Sequence, residues 1–208
     1  MNTFSHLIVN GALARPLKRK IAGWRLPPWH TGAFLLGSIA PDIPLTLIAV
    51  VLGAYDLFWG AGLPPPDEPA AATSLMSQLF NDWFFHDPWI ITAQNMLQSP
   101  LLILLYLFLA YWFWRRGRLG GWLFCFAAGC LLHTLGDIPL HHDDGPLLLF
   151  PLNWEWRFFS PISYWDPAHF GQQWGRFEMI LDLILLLYLL VSYRSTLLGW
   201  WRRRRSPH

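Results

Sequence analysis

The sequence predicts an all-α integral membrane protein, a polytopic bundle of about four transmembrane helices that forms one domain over residues 1–208. Apolar residues make up 54% of the chain and charged residues 13%, whereas a soluble domain carries about 25% charge. The chain also contains 14 Trp and 15 Phe, residues that are enriched where helices leave a membrane. No basic patch interleaved with polar residues is present, so no nucleic-acid partner is expected and the lipid bilayer is the expected partner.

Four segments approach the roughly 20 apolar residues that one membrane crossing needs. They are, approximately, residues 33–53, 98–114, 119–138 and 177–200. The first is expected to be a broken helix, because Pro41 and Pro44 flank Asp42 in its middle. The third is expected to end near Pro139, since the residue before a proline is disfavoured in the helical conformation.

The distribution of basic residues predicts that both ends of the chain lie in the cytoplasm. Clusters of Lys and Arg occur in residues 15–25, before the first span, in residues 115–118, between the second and third, and in residues 202–205. With four crossings these clusters lie on one side, and basic residues mark the cytoplasmic side. The aromatic-rich loops 54–97 and 139–176 are then outside.

Acidic groups and imidazoles gather at the predicted outer side of the spans. His133 and Asp137 are one turn apart on the third span and share a helix face. Asp42 lies mid-span in the broken first helix, and the other candidates on the outer side are His86, His141, His142, Asp143, Asp144, Glu178 and Asp182. Ionisable groups inside a membrane are costly and mark functional sites, and imidazole and carboxylate ligands suit zinc, manganese or ferrous iron. We therefore predict a divalent metal site, with zinc as the first choice.

The predicted core ligands are Asp42, His133 and Asp137, with His86 and either His141 or His142 completing the set. Structural alternatives stay open. Residues 141–144 can form a solvated turn, and Glu178 can pair with Arg176 or Arg157. The cluster as a whole can hold the bundle together without a metal. Acids on broken helices can also bind a transported cation or relay protons, so an ion- or proton-coupled transport component is the alternative function.

Three segments, MNTFSHLIVNGALA, LLGSIAPDIPL and GCLLHTLGDIPLHHDDG, resemble in this order the bacterial inner-membrane metal-dependent hydrolases, which are distantly similar to zinc-dependent phospholipase C. The family pattern is an early His, a Gly-x-x-x-Pro-Asp segment, an intermediate His and a His-x-x-x-Asp helix. The matching residues are His6, Gly37 with Pro41 and Asp42, His86, and His133 with Asp137. A further His-x-x-x-Glu pair of the phospholipase-like pattern has its nearest counterpart in Glu178 and Asp182.

The resemblance implies a multi-pass hydrolase of the bacterial inner membrane with its site facing the outer side. A metal-bound water would be the nucleophile, and Glu178 or Asp144 would act as general base or would orient a ligand. The expected substrate is a phosphoester or other ester at the lipid surface, in a lipid or lipid-linked molecule.

The resemblance adds His6 as a ligand, although the predicted topology starts this residue on the cytoplasmic side. Either residues 4–14 enter the membrane, or the first segment is arranged differently, or His6 is not a ligand.

Overall fold

The computed structural model describes residues 1–60, 74–117 and 120–205, with side chains described as far as residue 194. Within these ranges the chain is 73% helix and has no strand. The helices are α1 (Thr3–Lys20), α2 (Thr31–Gly37), α3 (Ile43–Phe58), α4 (Leu75–Gln78), α5 (Phe84–His86), α6 (Pro88–Gln98), α7 (Pro100–Arg115), α8 (Gly121–Asp137) and α9 (Gly171–Arg205). Short 3-10 turns occur at Ala40–Asp42, Ile138–Leu140 and Pro167–His169, and a π turn occurs at Leu79–Trp83.

Two helical segments of the described chain, Thr31–Phe58 and Gly121–Leu140, are long and apolar enough to cross a membrane. The number rises to three if Pro88–Gln98 and Pro100–Arg115, which meet at an angle of 50°, form one bent span. These segments overlap the first three predicted spans. The fourth predicted span falls on α9 and runs into residues 195–200, which lie outside the residues whose side chains are described. The chain is therefore all-helical in its described part, with two or three candidate spans.

The first candidate span is interrupted where its prolines predict a break. Helix α2 ends at Gly37, Pro41 lies in a 3-10 turn, and α3 begins at Ile43 with Pro44 in its first turn. Proline is tolerated in a first turn because its missing N–H would have no helical partner there. The break places Asp42 between the two helices, so its carboxylate can turn toward a neighbouring helix.

Helices α2 and α8 approach each other so closely that only glycine fits at two positions of the contact. A Cβ on Gly37 would lie 2.0 Å from the Phe126 carbonyl oxygen, and a Cβ on Gly129 would lie 2.1 Å from the Phe34 carbonyl oxygen. Small residues allow helix backbones to pack in this way inside membranes. The contact brings the break after Gly37 alongside α8.

Helix α1 runs antiparallel to α8. His6 lies beside Gly136, and Asn10 donates from Nδ2 to the Gly129 carbonyl oxygen over 3.3 Å. The start of α1 therefore lies at the Asp137 end of α8, and its basic last turn points toward the Gly121 end. This geometry resolves the position of His6, because the first segment is a helix alongside α8 that begins at the same end as the other candidate ligands.

The same helix runs parallel to α9. Ser5 Oγ donates to Asp182 Oδ2 over 2.6 Å, and a Cβ on Gly11 would lie 3.6 Å from the side chain of Leu189. Helix α1 is thus packed between α8 and α9. Its first turn contacts α8 at Gly136 and α9 at Asp182.

Candidate metal centre

Asp137, the last residue of α8, lies at the centre of a buried group of three ionisable residues. Its Oδ1 is 2.8 Å from His6 Nε2, and its Oδ2 is 2.9 Å from His133 Nε2. Each of the three residues offers one ligand atom, and these atoms lie within 4.8 Å of one another. The two imidazole rings stack with centroids 3.8 Å apart and an angle of 23° between their planes. Two nitrogens and a carboxylate thus converge on one small volume.

Two separate features of the chain bring these residues together. His133 and Asp137 share a face because they are one helical turn apart on α8. His6 comes from α1, and the glycine at position 136 leaves room for its ring, since a Cβ there would lie 3.2 Å from His6 Cε1. The spacing on α8 is local, whereas His6 reaches the site only through the packing of α1.

His133 is oriented by a backbone carbonyl of the helix break. Its Nδ1 lies 2.8 Å from the Ser38 carbonyl oxygen and donates to it, so Nε2 is the nitrogen that faces the carboxylates. That Nε2 is fully buried and lies 2.9 Å from Asp137 Oδ2 and 3.2 Å from Asp42 Oδ1, yet has no partner in hydrogen-bonding geometry. A buried nitrogen between two carboxylates requires a positive charge, either a proton on the ring or a bound cation. The donor set fits a divalent cation.

Asp42 is held at the site by polar groups from two helices. Its Oδ2 accepts a hydrogen bond from Thr3 Oγ1 over 2.5 Å, and its Oδ1 lies 3.5 Å from Gln98 Nε2. Its side chain keeps 21% of its surface exposed, more than that of His133 or Asp137. Asp42 therefore forms the more accessible edge of the group.

His141 extends the group beyond the end of α8. Its Nε2 lies 3.6 Å from Asp137 Oδ1, and its Nδ1 lies 3.0 Å from Asp144 Oδ1. Although burial favours the neutral ring, the carboxylates of Asp137 and Asp144 raise the pKa of His141 to about 9. Asp144 in turn accepts a hydrogen bond from Trp165 Nε1 over 2.9 Å. Asp144 thus lies behind His141, where it can orient the ring toward Asp137.

The environment of His6 favours the protonation state that binds metals. Burial lowers the pKa of His6 below its ordinary value, although the hydrogen bond with Asp137 acts in the opposite direction. Burial thus acts toward the neutral ring, which is the form in which an imidazole ligates a metal.

The structure does not bring His86 and His142 into the buried group. The His86 side chain is 74% exposed, and its Nδ1 lies 3.1 Å from Asp82 Oδ1. His142 donates from Nδ1 to the Ser160 carbonyl oxygen over 2.6 Å and stacks on the ring of His169. Both residues therefore lie outside the group of described residues whose ligand atoms converge.

Glu178 and Asp182 hold the start of α1 against α9. Glu178 Oε1 accepts from the Asn2 backbone N over 2.8 Å and from Asn2 Nδ2 over 3.1 Å. Its partner is thus Asn2, and not Arg176 or Arg157. Asp182 binds Ser5 as described above. This pair positions the segment that carries His6, which is a different role from the general base expected of Glu178.

Sequence reasoning overlooked the groups that support the ligands, namely Ser38, Thr3 and Asn2. Asn2 carries a readable signal, because its side chain accepts from Ser5 N over 3.0 Å and caps α1. An asparagine shortly before the apolar residues of a helix is a typical N-cap and predicts a helix start. The contacts of Ser38 and Thr3 join distant parts of the chain and have no such local signal.

Comparison with protein-family models, with curated proteins and with solved structures found no match to this chain.

Proposed function

We propose that this protein is a membrane-embedded, metal-dependent hydrolase that cleaves a phosphoester or other ester at the lipid surface. The observation that carries the proposal is the carboxylate of Asp137, whose two oxygens face the Nε2 atoms of His6 and His133 in a buried site. Imidazole and carboxylate ligands in this number suit zinc, and they also accommodate manganese or iron.

Electrostatics supports a divalent cation at this position. The carboxylates of Asp42 and Asp137 both face His133 Nε2, and the Met1 ammonium, 3.0 Å from Asp137 Oδ1, supplies only one positive charge to this pair. The residues around Asp137 that would hold a divalent cation lie near both of its carboxylate oxygens. His6 and His141 lie on the Oδ1 side of Asp137, while His133 and Asp42 lie on the Oδ2 side.

The chain's own residues would orient the site for hydrolysis. A divalent cation would polarise an ester oxygen and lower the pKa of bound water. The Ser38 carbonyl holds the ring of His133, and Asp144 holds that of His141. Such outer partners raise ligand basicity and keep the ring nitrogens aimed at the ion. Thr3 fixes the carboxylate of Asp42 at the accessible edge, where substrate would approach.

The position of the site supports a substrate at the lipid surface. Asp137 and the 3-10 turn after it end the candidate span Gly121–Leu140, and residues 141–170 follow directly. This segment exposes large apolar side chains, among them Leu152 at 80% and Phe159 at 67% of their surface. Apolar and aromatic side chains at a helix end are typical of a membrane boundary.

We also propose a multi-pass arrangement in the bacterial inner membrane with the metal centre on the outer side. The basic last turn of α1 lies at the opposite end of α8 from the metal centre, as does Arg115 at the end of α7. Basic residues mark the cytoplasmic side, which supports an outer position for His6 and Asp137. We also propose that α9 is a further membrane span.

The decisive experiment is elemental mass spectrometry on detergent-purified protein, combined with a hydrolysis assay on phospholipid vesicles. Wild-type protein is expected to hold near-stoichiometric zinc, manganese or iron and to release headgroup or fatty acid. Chelation should stop turnover, and the same metal should restore it. A variant with both Asp42→Ala and His133→Ala should lose the metal and the activity. His86→Ala is the matched control and should retain both, because His86 is exposed and bonded to Asp82.

Folded wild-type protein without metal, even after reconstitution, would show that the hydrolase proposal is wrong. A charge on His133 would then come from a proton. An ion flux across liposomes that follows the ion gradient would identify a transport component. Loss of thermal stability in His133→Ala, without flux or metal, would identify a structural cluster.

A further inference from the structure

A groove lies between α1 and α9, toward the end of α1 that is far from the metal centre. It has a volume of about 300 Å³ and is lined by Arg15, Pro16, Arg19, Tyr188 and Ser192. Arg15 and Arg19 are four positions apart, so both guanidinium groups lie on the same face of α1. The groove is thus a cationic cleft between two long helices.

Arg15 is held in a fixed position within this cleft. One of its terminal nitrogens, Nη1, donates to the Ser192 carbonyl oxygen, and its guanidinium carbon lies 3.3 Å from the centre of the Tyr193 ring. A guanidinium group has five N–H donors in a rigid plane, so most donors of Arg15 remain available after this contact. Arg19 is exposed and can add its own donors.

The two arginines have no counter-charge in the described structure. Within residues 1–60, 74–117 and 120–194, no carboxylate lies within ion-pair distance of Arg15 or Arg19. The carboxylates of α9 that contact α1, Glu178 and Asp182, bind its first turn at the opposite end. The cleft therefore presents uncompensated positive charge, which favours an anionic ligand.

The level of the cleft relative to the candidate membrane span indicates which anion can bind there. Because α1 runs antiparallel to α8, Arg15 and Arg19 lie near the level at which the candidate span Gly121–Leu140 begins. Ala14, the neighbour of Arg15, packs in one cluster with Cys125 from the start of α8. Lipid phosphates lie where membrane helices end, and basic pockets between helices at this level bind anionic headgroups.

We propose that this cleft binds the phosphate group of an anionic glycerophospholipid from the surrounding membrane. The planar guanidinium groups of Arg15 and Arg19 match phosphate oxygens in paired hydrogen bonds. Tyr188 and Ser192, which line the same cleft, each carry a hydroxyl group that can donate to an oxygen of the headgroup. This binding site is separate from the metal centre and does not depend on the proposed hydrolase activity.

Native mass spectrometry of the full-length protein tests this assignment. The protein is released from nanodiscs that contain equal parts of phosphatidylglycerol and phosphatidylcholine, and bound lipid is identified by mass. Wild-type protein is expected to retain phosphatidylglycerol in preference to phosphatidylcholine. The double variant Arg15→Gln, Arg19→Gln should lose roughly 10- to 30-fold in phosphatidylglycerol affinity, the loss that removal of two basic groups near an anionic surface produces.

The control variant carries Lys20→Gln and Arg25→Gln, which remove the same charge from exposed positions that do not line the cleft. It should retain phosphatidylglycerol as the wild type does. Arg19→Gln alone covers the case in which loss of Arg15 impairs folding, because Arg19 is exposed, and it should weaken binding on its own.

Three results would overturn the proposal. The first is equal lipid retention in the wild type and both arginine variants. The second is an equal loss of lipid in the control variant, which would show that binding depends only on nonspecific surface charge. The third is displacement of the bound lipid by millimolar inorganic phosphate, which would identify a site for free phosphate instead of a lipid headgroup.

Discussion

The structure contains two pairs of stacked histidine rings that lie in different surroundings. The rings of His6 and His133 are 3.8 Å apart at 23°, and those of His142 and His169 are 3.6 Å apart at 16°. One ring of each pair donates from Nδ1 to a backbone carbonyl, His133 to Ser38 and His142 to Ser160. Ring geometry therefore does not distinguish the pairs.

The pairs differ in burial and in the position of their carboxylates. His6 and His133 are 2% and 0% exposed, and Asp137 faces both Nε2 atoms. The His169 side chain is 33% exposed, and its one carboxylate partner, Asp166, lies on Nδ1 at 2.6 Å. Among the residues that the structure describes, only the first pair belongs to a group whose ligand atoms converge. The comparison indicates that a metal centre requires a carboxylate that faces a nitrogen of both rings. Two stacked histidines are not sufficient.

The largest expected effect comes from Asp137→Asn. This change keeps the shape of the side chain but removes the charge that both buried rings face, so metal binding should be abolished. Removal of one partner from a buried ion pair typically costs about 3–5 kcal/mol of stability, so the unfolding temperature should also fall. Asp166→Asn is the matched change in the second pair, and it should leave metal content and unfolding temperature unchanged. Elemental analysis and thermal unfolding in detergent measure both effects, and equal effects of the two changes would contradict the comparison.

The next largest effect is expected from His6→Ala compared with His169→Ala. Each change removes one ring of a stacked pair, but only His6 supplies a nitrogen that faces Asp137. His6→Ala should weaken metal binding more than the roughly 10–100-fold typical for loss of an outer partner. His169→Ala should leave the affinity unchanged. Competition with a chelator of known affinity measures the difference. Full metal affinity in His6→Ala would show that His6 is not a metal ligand.

Asp144→Asn should have an intermediate effect, because Asp144 contacts His141 and does not contact the buried pair. The change removes the carboxylate that lies 3.0 Å from His141 Nδ1, while an amide oxygen can still accept from Trp165. We expect metal affinity or turnover to fall by roughly 10–100-fold, as for other outer partners of metal ligands. A turnover assay at saturating metal separates the two quantities. Unchanged affinity and turnover would exclude His141 from the site.

The smallest effect is expected from Gly136→Ala. An added Cβ would lie 3.2 Å from His6 Cε1, so the ring must move by a few tenths of an ångström. Metal affinity should fall modestly while the protein remains folded. Gly32→Ala in α2 is the control, since no atom would lie within 4 Å of its Cβ. If the two alanine variants bind metal equally, the position of His6 is not set by its contact with α8.

The sequence alone was sufficient for the features that depend on composition and local spacing. Its apolar content predicts membrane helices, and two or three candidate spans are found in the described residues. Pro41 and Pro44 predict the break that presents Asp42. The four-residue spacing of His133 and Asp137 places both on one helix face whatever the rest of the fold is, because the helical period decides it. The four-span topology and its orientation stay predictions.

Only the tertiary structure decided which distant residues join that face. His6 and Asp137 are 131 positions apart, and their contact depends on α1 packing antiparallel to α8. The contact of α1 with α9 pairs Glu178 with Asn2, and His86 lies on an exposed surface, although the sequence pattern makes both Glu178 and His86 candidates for the site. Helical spacing sets the face of a single helix, whereas the choice of neighbouring helices depends on close contacts such as those at Gly37 and Gly129. These contacts depend on the shape of both partners, which no local pattern of residues specifies.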